Sequence, residues 1–279
     1  MESADLAMFM VSAAVVTALI EHPTSPVHAL IPPAMLRRAV MGLAMGLTAI
    51  SIVYSPWGRR SGAHINPAVT LTFYRLGKIS GHDALSYAIA QFVGAVLGIG
   101  AAAMLLHRWI ADPTVNYVAT TPGRLGSEAA FIAEAVMSCL LMLVVLTASN
   151  QRRLTPFTGL IVGCLIATFI TFEAPLSGMS MNPARTLGPD IVAGMWRGLW
   201  IYFVAPPLGM LTAAEIYVRV RGLHAVRCAK LHHDDRPCIF GCERHDAPRL
   251  RVTAAGNDLL GVSAPRRVVD NAYTRQIDL

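Results

Sequence analysis

Of the 279 residues, 54% are apolar and only 14% are charged, against about 25% charge in an ordinary soluble domain, so a soluble globular protein is excluded. The net charge of +6 comes from 23 Lys and Arg against 17 Asp and Glu, spread without a basic block, which excludes nucleic acid as the natural partner.

Six apolar runs, roughly 4–20, 39–54, 84–106, 129–148, 157–172 and 199–218, predict six membrane helices. The first, second and fifth are short for a bilayer core, which needs about 20 residues. The first run begins almost at Met1, behind Glu2 and Asp5 and with no basic segment. That is unlike a cleaved signal peptide and is compatible with a natural start further upstream. Cys139 and Cys164 fall inside apolar runs and are read as core residues.

Between the second and third runs lies Ser61-Gly62-Ala63-His64-Ile65-Asn66-Pro67-Ala68-Val69-Thr70-Leu71. A twin lies between the fifth and sixth, 116 positions later: Ser177-Gly178-Met179-Ser180-Met181-Asn182-Pro183-Ala184-Arg185-Thr186-Leu187, identical at seven of eleven positions. Asn is a favoured N-cap and Pro is favoured at the first helical position, so each triplet starts a helix. Gly77 stops the first; Gly188, Pro189 and Gly194 stop the second. Neither helix can cross a bilayer. Short capped helices in matching places of two halves predict broken helices around a central site.

Small-residue pairs repeat with the halves. Gly42 and Gly46 precede Asn66 as Gly159 and Gly163 precede Asn182. Gly94 and Gly98 follow Asn66 as Gly209 and Ala213 follow Asn182. Such pairs let membrane helices approach closely. Three spans per half is an odd number, so the second half is inverted and the two short helices enter from opposite faces. The expected fold is all-α: six transmembrane helices plus two half-helices in two inverted repeats. The channel domain covers 1–222, with repeats of about 1–110 and 127–222, and a polar, largely disordered tail covers 223–279. Ten Lys and Arg fall on one side of this topology and six on the other, which places both termini in the cytoplasm.

Helix N-termini carry partial positive charge, so two of them facing one another oppose a cation and not a neutral molecule. The expected function is passage of small uncharged molecules, with Asn66 and Asn182 offering hydrogen bonds in place of lost water. Arg185 sits on the first turn of the second short helix and is read as part of the site. Glu2 and Glu134, in the first span of each half, are read as acceptors for the loops before the short helices; a proton relay is the sharper alternative. His64 is read as a pore-wall or packing residue. No nucleophile elbow, phosphate loop or paired catalytic carboxylate suggests an enzyme. A coupled secondary transporter would need an ion site at mid-depth, for which Glu2 and Glu134 are the only candidates.

In the tail, Cys228, Cys238 and Cys242 cluster with His232, His233 and His245 within eighteen residues. Thiolates with imidazoles suit zinc, and a structural site needs four ligands. The spacing matches no common finger, and a tail that happens to carry these residues is the plainer reading.

At SGAHINPAVTL and GMSMNPARTLGP the chain resembles the aquaporin and glycerol-facilitator family, over about residues 1–220. The resemblance implies a homotetramer in the plasma membrane with one pore per subunit, passing water and small neutral solutes. It also implies a constriction built from Met45, Ile170, Met179 and Arg185. Ile170 stands where water-strict members carry histidine, Thr186 where glycerol facilitators carry Asp, and Tyr202-Phe203 where they carry Pro-Leu. The solute is thus left open between water and glycerol.

Overall fold

The computed structural model describes residues 1–233 and 238–242. They fall within one unit, Met1–Asp246, and contain no strand. Among the described residues six helices are long and apolar enough to cross a membrane. In chain order with the two short ones they are α1 (Glu2–Glu21), α2 (Ala34–Tyr54), α3 (Pro67–Arg75), α4 (Gly81–Leu106), α5 (Gly126–Asn150), α6 (Thr158–Ser177), α7 (Pro183–Ala193) and α8 (Leu199–Arg221). Short helical turns such as Pro26–Leu30 and Pro56–Ser61 connect them.

The three spans expected to be short are not: α1, α2 and α6 have 20, 21 and 20 residues. Hydropathy undercounts them because polar residues lie within the helices. Buried Glu2 opens α1, and Arg37 in the first turn of α2 pairs with Glu21 at 2.9 Å. α6 runs through Pro175 to Ser177, where Gly178 in the left-handed region (φ 80°) returns its N–H to Ala174. α7 likewise continues past Gly188 and Pro189 and ends at left-handed Gly194. Gly188 serves packing: a Cβ there would lie 2.8 Å from Ala95 of α4.

The small residues mark the helix contacts. Gly94 and Gly98 set α4 directly on the backbone of α1, where a Cβ on Gly98 would meet Ala7 oxygen at 2.6 Å. Gly209 sets α8 on Ala135 of α5, and Ala213 beside it is fully buried. Gly42, Gly46 and Gly163 bring α2 and α6 together across the halves. Cys139 is half-buried against the core, but Cys164 is exposed, because Gly159, Val162 and Gly163 take the inward face of α6.

The segment after α8 also departs from expectation. Residues 226–231, assigned to the disordered tail, are packed: Val226, Cys228, Ala229 and Leu231 are buried in the cluster that holds Phe73 and Met210, or directly beside it. Apolar Val226, Ala229 and Leu231 are too few to register against the polar composition around them. Residues 234–237 and 243–279, His245 included, lie outside the described residues.

Candidate functional site

Each Asn of the paired triplets caps its own short helix. Asn66 Oδ1 accepts from the Ala68 N–H at 2.9 Å, and Asn182 Oδ1 from Ala184 at 3.0 Å and Arg185 at 3.2 Å. Each also reaches across to the other half. Asn66 Nδ2 donates to Met181 oxygen at 2.7 Å, and Asn182 Nδ2 donates to Ile65 oxygen at 2.7 Å. The two helix tips are thus tied together by a reciprocal pair of hydrogen bonds. An amide nitrogen has two hydrogens, so one on each Asn is held by the opposite loop and one remains. The sequence reading offered both amides to a passing molecule and missed this exchange.

The approach loops share a backbone pattern. Gly62, Ala63 and Ile65 have φ of 98°, 55° and 42°; Gly178, Met179 and Met181 have 80°, 50° and 53°. Left-handed backbone costs a residue with a side chain roughly 1–2 kcal/mol, so surrounding bonds must hold it. Glu2 accepts from the N–H groups of His64 (3.2 Å) and Ile65 (2.7 Å), and from Gln91 Nε2 (2.7 Å). Glu134 accepts from Ser180 N–H (2.7 Å), Met181 N–H (2.6 Å) and Ser177 Oγ (2.7 Å). A second pair of supports went unread in the sequence. Tyr87 OH donates to Ser61 oxygen at 2.7 Å, and Tyr202 OH to Ser177 oxygen at 2.6 Å.

Around the joined tips lies a cavity of about 280 Å³. Asn66, Asn182, Met45, Ile170, Met179 and Arg185 all line it. Met41 and Ile166, one turn from Met45 and Ile170, line it too and were not singled out from sequence. Arg185 Nη1 donates to Val118 oxygen at 3.3 Å and to Thr120 Oγ1. Both acceptors belong to the irregular segment before α5, where Asn116, Tyr117 and Val118 are left-handed. His64 lines the cavity, stacks on Phe73, and is fixed by Thr70 Oγ1 (3.0 Å) and Ala229 oxygen (2.8 Å).

Of the six tail residues offered as metal ligands, five are described, and four of those come together. One ligand atom from each of Cys228, His233, Cys238 and Cys242 lies within 4.8 Å of all the others. His232 instead sets its ring edge-on to Tyr54, with centroids 4.9 Å apart. The Cys228 and Cys238 sulfurs are 3.5 Å apart, well beyond the roughly 2.05 Å of a disulfide. Burial pushes the Cys228 thiol up. Burial acts on Cys238 too, but hydrogen bonds from Phe240 N–H and the neighbouring cysteines outweigh it and bring that thiol down.

Residues 4–217 match the family described as major intrinsic protein. Aquaporin NIP1-1 of Arabidopsis thaliana is 34% identical over 186 residues, 65% of this chain and 62% of the relative. The probable aquaporin AqpM of Archaeoglobus fulgidus is 37% identical over 192 residues, 63% of this chain and 74% of the relative. The match thus spans about three-fifths of the length of the plant relative. Among solved structures, the aquaglyceroporin from Plasmodium falciparum superposes with a TM-score of 0.65 at 21% identity, covering 80% of this chain and 96% of that one, which bears on the fold. The joined half-helices, the inverted six-helix frame and the matched stretch together make this chain a member of the major intrinsic protein family.

Proposed function

We propose that this protein is a passive channel for water and other small uncharged solutes that excludes ions and protons. The observation that carries the reading is the meeting of two capped helix N-termini, tied by Asn66 and Asn182, on the wall of a mostly apolar cavity. Opposed positive helix ends beside a guanidinium set an electrostatic barrier to cations, while the remaining amide hydrogens replace part of a water molecule's lost partners. In this reading Glu2 and Glu134 are loop supports and take no part in proton transfer. Both oxygens of each carboxylate already accept hydrogen bonds. That the relatives are described as aquaporins supports the solute class. A homotetramer in the plasma membrane with both termini cytoplasmic completes the proposal, resting on the family resemblance and the Lys and Arg asymmetry. Native mass spectrometry would test the tetramer, side-specific labelling the termini, and membrane fractionation the location.

The deciding measurement is stopped-flow light scattering of proteoliposomes. Sucrose-driven shrinkage is expected to be faster than in empty liposomes, with no steady current across a planar bilayer. Equal shrinkage rates would overturn conduction, and a current would overturn ion exclusion.

The filter supports a second expectation. Ile170 and Met179 put apolar, shape-adaptable groups where a polar side chain would hold water. Vesicles shrunk with glycerol are therefore expected to reswell faster than empty ones, more slowly than with a dedicated glycerol facilitator. Complete reflection of glycerol alongside normal water flux would identify a strict water channel.

A further inference from the structure

The Cys and His cluster does not belong to the pore lining, yet it is built onto it. The segment that carries Cys228 is anchored at several points. Arg227 N–H donates to Asn150 Oδ1 at 2.7 Å, Ala229 oxygen bonds to His64 at 2.8 Å, and Leu231 N–H donates to Gly62 oxygen at 3.2 Å. Gly62 and His64 belong to the loop that delivers Asn66. Between Cys228 and His233 the chain sends Leu231 into the wall of the same cavity that Asn66, Asn182 and Arg185 line.

The donor set is three thiols and one imidazole. Four such ligands make a closed tetrahedral site, and soft sulfur favours zinc-class ions over magnesium or calcium. With metal–sulfur bonds of about 2.3 Å, tetrahedral geometry separates two sulfurs by roughly 3.8 Å. Cys228 and Cys238 lie at 3.5 Å, close to that spacing and far from a covalent bond. Backbone N–H groups bond to these sulfurs, Lys230 to Cys228 at 3.5 Å and Phe240 to Cys238, the outer-shell arrangement that orients thiolate ligands. Phe240, between the last two cysteines, stacks over His64 with centroids 6.1 Å apart, so the second arm of the cluster rests on the same pore loop.

We propose that Cys228, His233, Cys238 and Cys242 bind one zinc-class divalent ion, and that this ion clamps the Leu231 segment against the Asn66 loop at one mouth of the pore. Cys228 and His233 bracket the segment, so coordination fixes both of its ends. Loss of the metal releases Leu231 from the lumen wall and raises water flux. The metal site stands on the cluster alone; the effect on flux rests on the channel reading above.

The test uses the full-length protein purified without chelator. Elemental analysis is expected to give about one equivalent of zinc per chain, falling below about a tenth in the Cys238→Ser, Cys242→Ser variant. The Cys139→Ser, Cys164→Ser variant is expected to keep its metal. Cobalt titration of chelator-stripped wild type is expected to give the visible bands of a tetrahedral thiolate site, which holds the site to account should the double variant fail to fold. Wild type that holds no metal after incubation with zinc overturns the site. So does a variant that retains it, or an intact mass two hydrogens light from a disulfide. In proteoliposomes, chelator is expected to raise wild-type water permeability several-fold, and Leu231→Ala to show the raised value with metal still bound. Unchanged flux on chelation overturns the clamp. If neither form conducts water, the channel reading fails, while the metal content still decides the site.

Discussion

Replacing Glu134 with leucine is expected to remove both folding stability and water flux. The carboxylate accepts three hydrogen bonds, two of them from the backbone N–H groups of Ser180 and Met181. Leucine leaves those donors buried without an acceptor, at about 1–3 kcal/mol each. It also removes what holds Met179 and Met181 left-handed. The total is a large share of the roughly 5–15 kcal/mol that keeps a typical protein folded. By the usual scaling for a chain of this size, the apparent melting temperature in detergent should fall by roughly 10 °C or more. Glu134→Gln should fall less, because its amide oxygen still accepts while its NH₂ faces an N–H donor. A control on the exposed face of α5, Ile132→Ala at 63% exposure, should leave the melting temperature nearly unchanged. A Glu134→Leu protein that melts with wild type and conducts water would show that the loop stands without the carboxylate.

What could be read from the sequence was local or repeated. Asn-Pro-Ala announces a capped helix start because cap, proline and first turn are neighbours in the chain, and both short helices begin where expected, at Pro67 and Pro183. The glycine pairs were legible because their equivalent placement in two halves singled them out. The ends of elements were less so. Gly188 carries the same letter whether it stops a helix or lets another come close, and only Ala95 against it decides. Bonds over long separations left a trace only where a carboxylate stood inside an apolar span, as Glu2 and Glu134 do; the others left none: Tyr87 holds Ser61 from 26 positions away, Thr120 meets Arg185 across 65, and Ala229 meets His64 across 165. Leu231 was hidden by composition, since one apolar residue among His, Lys and Asp does not disturb a polar average. The ligand cluster was narrowed in the same way. Sequence offered six candidate side chains, and the backbone path turns His232 to Tyr54 and His233 to the cysteines.

Arg185→Val is expected to leave the fold intact and to change what passes. The side chain sits at the surface of the cavity, and among the described residues its guanidinium bonds to Val118 oxygen and Thr120 Oγ1. Val118 lines the cavity, where water can replace the lost donor, and the buried Thr120 hydroxyl can donate as well as accept, so the stability cost is smaller than at Glu134. The helix cap does not depend on the side chain, because Asn182 Oδ1 accepts from the Arg185 backbone N–H. What is lost is a fixed positive charge and the largest array of donors in the constriction, five N–H groups on one plane. A charge in a low-dielectric passage acts strongly on a passing ion, so its removal lowers the barrier to cations. The smaller valine also widens the passage between Ile170 and Met179. Melting temperature should therefore stay within a few degrees of wild type, water flux should persist, and glycerol and urea reflection should fall. A cation current absent from wild type should appear in planar bilayers. Asn182→Ala provides the contrast, because it removes the helix cap and the bond to Ile65 together, and it should lower the melting temperature. If Arg185→Val aggregates on extraction while Asn182→Ala does not, the arginine is a structural tie to the Thr120 loop and the tips supply the selectivity.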